Sequence, residues 1–182
     1  MMRIELDEIK DEGLSRTWCI EARDFPELEH LVDSGECTFN APIEVSLRAQ
    51  RAGELVEVSG RLTTALGLVC GRCLKPFVQA LQADFELTFS RTGSTSSHTD
   101  EEEVELSAED LGMVAFSGEA IDLTAPVQEQ VLMALPLQPL CDESCRGLCP
   151  HCGTDLNVST CNCAASEFDN RFSVLKNFKP ER

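Results

Sequence analysis

The sequence predicts an α+β chain: a β-rich antiparallel sheet or partly open barrel, one packed helix, and a C-terminal cysteine-rich metal-binding segment. Three observations carry that reading. Residues 41–89 alternate apolar and polar side chains at period two. The stretch 124–135 repeats apolar residues at helical spacing. Six of the ten cysteines fall within the 23 residues from Cys141 to Cys163. Residues 1–140 then form a β-rich domain with a mobile loop at 91–103, and residues 141–182 form the metal-binding segment with a short C-terminal helix.

In chain order, residues 2–9 and 15–22 read as two short strands around a polar turn at Gly13, with Trp18 in the core. The opening residues alternate apolar and charged side chains, unlike a signal peptide. Leu28, Leu31 and Val32 fall at helical spacing and predict a short helix over 25–32, on which His30 is an exposed side chain. Cys19 and Cys37 stand alone in strand-like surroundings and are expected to act as small apolar core residues.

Ile43, Val45 and Leu47 share one face of the next strand; Leu62, Thr64, Leu66, Leu68 and Cys70 share a face of another. Leu81, Ala83, Phe85, Leu87 and Phe89 do the same on the far side of Cys73-Leu74-Lys75-Pro76, which places Cys70 and Cys73 at the tip of a long hairpin. Residues 104–106 and 113–116 suggest further short strands. Val127, Val131 and Leu135 mark the helix, with Thr124 as its expected N-cap, Pro126 in its first turn and Pro136 as its stop. The arm 135–140 delivers Cys141. Phe168, Phe172 and Leu175 share the apolar face of a final short helix with a basic end.

The chain has 182 residues, 42% of them hydrophobic, enough for a core without disulfides. No window approaches the roughly 18 apolar residues a membrane helix needs. A cytoplasmic location is expected, where clustered thiols bind metal more often than they pair. The formal net charge is −17. Phosphate backbones repel such a surface, so a basic protein is the better electrostatic partner.

Cys149-Pro150-His151-Cys152-Gly153 has the form of a zinc knuckle, and Cys161 and Cys163 return soon enough to close a tetrahedral set with Cys149 and Cys152. Cys141 and Cys145 are left over, and Cys70 and Cys73 are their partners in the favoured arrangement. The candidate metal ligands are therefore Cys70, Cys73, Cys141 and Cys145 in one site and Cys149, Cys152, Cys161 and Cys163 in another. Exchanging the pairs satisfies the same spacing, disulfides are the alternative use of these thiols, and four thiolates hold iron as well as zinc.

Cys70-Gly71-Arg72-Cys73-Leu74, the Leu132-Met133-Ala134-Leu135-Pro136 helix end, the block from Cys141 to Gly153 and the closing Asp169-Asn170-Arg171-Phe172-Ser173-Val174-Leu175 together resemble the YceD family of large ribosomal RNA subunit accumulation proteins. The resemblance runs from about residue 40 to the end. It implies a bacterial, cytoplasmic, non-enzymatic factor needed for accumulation of large-subunit (23S) ribosomal RNA. Family genes often neighbour that of the ribosomal protein L32, which suggests ribosome assembly without naming a contact; the acidic charge together with the resemblance makes a basic large-subunit protein or an assembly intermediate the expected partner. Catalytic residues are not implied.

Two other classes compete with this reading. A dithiol redox centre at Cys70 and Cys73 would normally open a helix after a strand, whereas these cysteines sit in a hairpin turn with Pro76 close behind. RNA-binding zinc modules surround their cysteines with Lys, Arg and aromatic residues. Here Asp142, Glu143 and Asp155 are the neighbours, opposed by Arg146. Zinc hydrolysis lacks a His-Glu-x-x-His or equivalent open site.

Overall fold

Alternation becomes an antiparallel meander in the computed structural model, which describes residues 2–91 and 113–163. The strands are β1 (Arg3–Glu5), β2 (Leu14–Ile20), β3 (Thr38–Phe39), β4 (Ile43–Ala52), β5 (Leu55–Val69), β6 (Pro76–Arg91), β7 (Met113–Phe116) and β8 (Ala120–Asp122). Two α-helices accompany them among the described residues, α1 (Pro26–Asp33) and α2 (Thr124–Ala134). Strands β2, β4, β5, β6 and β7 lie side by side in that order, and β3 pairs with β5 to complete a six-stranded sheet. Among the described residues the sheets are open and do not close into a barrel.

The scaffold is the β5–β6 hairpin, paired without interruption from Leu55↔Ser90 to Val69↔Pro76. Its length follows from the period-two pattern: Val56, Val58, Leu62, Leu66 and Leu68 turn inward against Leu81, Phe85 and Phe89. Ile43, Val45 and Leu47 extend that face across β4. Burying each such side chain contributes about 1.5–3 kcal/mol relative to leaving it in water. Val127 and Val131 of α2 and Leu28 of α1 are fully buried in the same core, so two helices pack on the sheet where the sequence pattern favoured one.

Four expectations are corrected. The N-terminal strands do not pair with each other: β1 joins β8 in a separate two-stranded sheet and β2 lies along β4. Alternation fixes which side chains point inward, but not which strand a segment meets. Strand β7 runs parallel to β6, breaking the antiparallel rule, and the 21 residues 92–112 between them are long enough for a crossover. Thr124 is the first residue of α2 and not its cap; its N–H donates to Asp122 Oδ1 at 2.9 Å, and its hydroxyl accepts from the Met2 N–H at 3.4 Å. Cys19 is exposed on edge strand β2, while Cys37 is buried as expected. The expected strand at 104–106, the loop from residue 92 to 103 and the C-terminal helix lie outside the described residues.

Candidate metal centres

Strand β5 ends at Val69 and β6 begins at Pro76, so residues 70–75 form the hairpin turn. Two backbone bonds close it: Cys70 N–H to Lys75 O at 3.0 Å and Leu74 N–H to Cys70 O at 2.9 Å. The turn at Cys149 repeats both, Cys149 N–H to Thr154 O at 2.8 Å and Gly153 N–H to Cys149 O at 2.9 Å. In each turn the residue after the second cysteine has a positive φ, 58° at Leu74 and 71° at Gly153. Glycine accepts that conformation freely, whereas an L side chain is strained by about 1–2 kcal/mol. Offsetting the greater unfolded-state freedom of glycine, Leu74→Gly should raise stability by about 0.5–1 kcal/mol, read as a higher denaturation midpoint with metal content unchanged.

Past α2 the chain extends from Leu135, and Pro139 O accepts the Gly71 N–H at 2.9 Å. That bond moors the arm to the hairpin tip and delivers Cys141. Asp142 Oδ1 accepts the Ser144 N–H at 2.8 Å, folding the chain back so that Cys145 joins the same place.

The four sulfurs of Cys70, Cys73, Cys141 and Cys145 all lie within 4.8 Å of one another, as do those of Cys149, Cys152, Cys161 and Cys163. Cys70 and Cys145 Sγ are 3.9 Å apart, and Cys73 and Cys141 Sγ are 3.7 Å apart. Thiolates held tetrahedrally about 2.3 Å from one zinc ion would be separated by about 3.8 Å. Disulfides need about 2.05 Å, and all ten cysteines are free. The exchanged pairing of the hairpin cysteines with Cys149 and Cys152 does not occur.

Electrostatics explains why such a set calls for a cation. Backbone N–H groups of Cys141, Cys73 and Arg72 converge on the Cys70 sulfur and bring its pKa down to about 6. Its neighbours Cys70 and Cys73 push Cys141 up to about 12. In the second set, the Thr154 hydroxyl, 3.1 Å away, and backbone hold Cys152 down at about 6, while Cys152 beside it drives Cys163 up to about 12. Cys70 in the first set and both Cys149 and Cys152 in the second favour the thiolate, while Cys141 and Cys163 resist it beside them. A bound dication removes that conflict.

The two sets differ in exposure. Cys70, Cys73 and Cys145 are buried, with Phe77 and Leu140 packed against them, and only Cys141 is exposed. In the second set Cys152 and Cys163 are exposed and Cys149 is buried.

The sets are also joined. Arg72 O accepts the Leu148 N–H at 3.1 Å, and its guanidinium donates to Glu143 O at 3.0 Å and Cys145 O at 2.9 Å. Asn157 accepts the Arg146 N–H at 2.7 Å and donates to Cys145 Sγ at 3.4 Å. Lys75 Nζ lies 2.6 Å from Asp155 Oδ2, which is shut off from solvent and has no aligned hydrogen bond, so the ammonium charge is what compensates it. That charge, with the Asn157 amide, holds Asp155 down to about 2. Arg72, Lys75, Asp155 and Asn157 have no ligand spacing to mark them in the sequence, which suggested Asp155 only as part of an acidic surround.

Residues 58–179, spanning both cysteine sets, match the family model described as large ribosomal RNA subunit accumulation protein YceD. The chain is 33% identical over 116 residues to an uncharacterized protein of Mycobacterium tuberculosis, covering 64% of this chain and 52% of that one. It is 23% identical over 158 residues to the large ribosomal RNA subunit accumulation protein YCED homolog 1, chloroplastic, of Arabidopsis thaliana, covering 77% of this chain and 49% of that protein. The Zea mays protein of the same name is 22% identical over 152 residues, covering 72% of this chain and 52% of that protein. The chain thus spans about half the length of the curated relatives it matches. No solved structure matches it.

Proposed function

Because the chain belongs to the YceD family of large ribosomal RNA subunit accumulation proteins, we propose that it is a non-enzymatic factor supporting accumulation of large-subunit ribosomal RNA, built around two structural metal sites. The observation that carries the metal reading is the gathering of eight thiols into two four-sulfur sets at single-ion spacing. Zinc fits the donor set: four thiolates complete a tetrahedron and leave no open position, the mark of a structural site. One iron ion fits the same ligands, whereas a four-iron cluster needs wider sulfur separations. A cytoplasmic location agrees with thiols kept available for metal.

Net charge favours a basic partner, a large-subunit protein such as L32 or an assembly intermediate carrying one, over direct contact with RNA phosphates. Association of that kind is fast and salt-sensitive. In a strain lacking the protein, large-subunit RNA should fall relative to small-subunit RNA. The wild-type gene should restore it, and the purified protein should carry two zinc ions per chain by elemental analysis. Unchanged RNA levels would remove the biological reading; absence of metal from freshly purified protein would remove the structural one.

A further inference from the structure

We propose that a groove beside the first cysteine set docks a basic, extended protein segment through an apolar anchor. The inference rests on the partner reading above and assigns it a surface. The groove has a volume of about 380 Å³ and is lined by Glu36, Cys37, Val69, Pro76, Phe77 and Val78, among others. Val69 and Val78 stand 52% and 63% exposed on its floor, although burial is the favourable state for such side chains. They come from neighbouring strands, Gly67 pairing with Val78 and Val69 with Pro76, so the apolar strip runs along the last rungs of the β5–β6 hairpin.

Charge selects the occupant. None of the groove's lining residues is basic, and Glu36 is its charged member. The chain reaches that rim from α1, which packs beside β3, and Glu27, Glu29 and Asp33 are exposed on that helix. A segment that interleaves Lys or Arg with Leu or Phe satisfies both features, its apolar side chains entering the groove and its cations facing the acidic approach. A second copy of a chain with net charge −17 meets like charge there, and so does an RNA backbone.

The cysteine set organises the groove. Leu68 and Val69 immediately precede Cys70, Pro76 and Phe77 follow Cys73 within four residues, and Phe77 packs against the sulfurs. Loosening the hairpin tip therefore loosens the floor on which the anchor sits.

The test uses the full protein with metal bound and two fluorescein-labelled synthetic peptides of equal length and charge. One interleaves Lys and Arg with Leu and Phe, the other with Ser and Gly. By fluorescence anisotropy at about 0.1 M salt, the Leu/Phe peptide should bind at least about tenfold more tightly. Val78→Lys should weaken that binding about tenfold or more, while Gln82→Lys, which adds the same charge to an exposed site on the same strand outside the groove, should weaken it less than about threefold. Metal analysis of each variant confirms that the hairpin tip is intact. Equal binding of the two peptides, or equal effects of the two substitutions, would overturn the proposal by reducing it to general attraction to an acidic surface. A dimer that Val78→Lys dissociates would overturn it in favour of a second copy, and poly(U) binding abolished by Val78→Lys in favour of RNA. Failure here leaves the deletion phenotype intact, whereas failure of the functional reading shows in the RNA levels whatever the peptides do.

Discussion

Replacing Cys70 with serine should cost the protein one of two metal ions and release the segment after Leu140 from the hairpin tip. The size of the effect follows from chain entropy. An ion gripping Cys70 and Cys145 ties together residues 75 positions apart. A cross-link closing a loop of that length restricts the unfolded chain by about 4–5 kcal/mol, against about 3 kcal/mol for the twelve-residue span between Cys149 and Cys161. Cys70→Ser should therefore lower stability more than Cys161→Ser, although each removes one thiolate. Native mass spectrometry would count the ions, and limited proteolysis would report the release, with cleavage near Leu137, already fully exposed, as the readout. Equal stability losses from the two substitutions would show that the first set does not act as a long-range clamp.

Gly147→Ala should separate the two cysteine sets while leaving both able to hold metal. Gly147 is buried between them with φ 71°, and a Cβ there would lie 2.9 Å from the carbonyl oxygen of Arg72. Strain at that φ costs about 1–2 kcal/mol. The close approach is to backbone, which cannot swing aside, so relief requires the second set to lift away from the hairpin turn. Three bonds would weaken together: Leu148 N–H to Arg72 O, Leu156 N–H to Gly147 O and the Lys75–Asp155 ion pair. The expected result is a total loss of about 2–4 kcal/mol, with two ions per chain retained and faster hydrogen exchange at Leu148 and Leu156. Exchange equal to wild type would mean that the junction tolerates a methyl group and is looser than its distances imply.

The sheet was legible where one side of a strand faces the core. Leu62, Thr64, Leu66, Leu68 and Cys70 lie buried on a single face of the β5 edge of the hairpin as their spacing predicts, since solvent and core enforce a two-residue period along the whole strand. Partner choice was not legible. Strand β1 is three residues long, and its pairing with β8, more than a hundred positions away, depends on long-range packing that no local pattern records. The same division runs through the metal centres. Cysteines advertise themselves by type and spacing. The contacts that join one set to the other do not: Arg72 acts through its carbonyl as well as its guanidinium, Asn157 through an amide placed by the fold, and Lys75 through a charge that meets Asp155 only once the polypeptide has turned back.

The first thiol set is divided unequally along the polypeptide, two sulfurs on the β5–β6 turn and two more than sixty residues later. During synthesis the hairpin can fold early, since domains form from the N-terminal side as the chain emerges. Its tip stays incomplete until Cys141 and Cys145 have been made. Capture of an ion by this set would thus be a late maturation event, and an unfinished or truncated product would expose a half-built turn to the quality-control machinery of the cell.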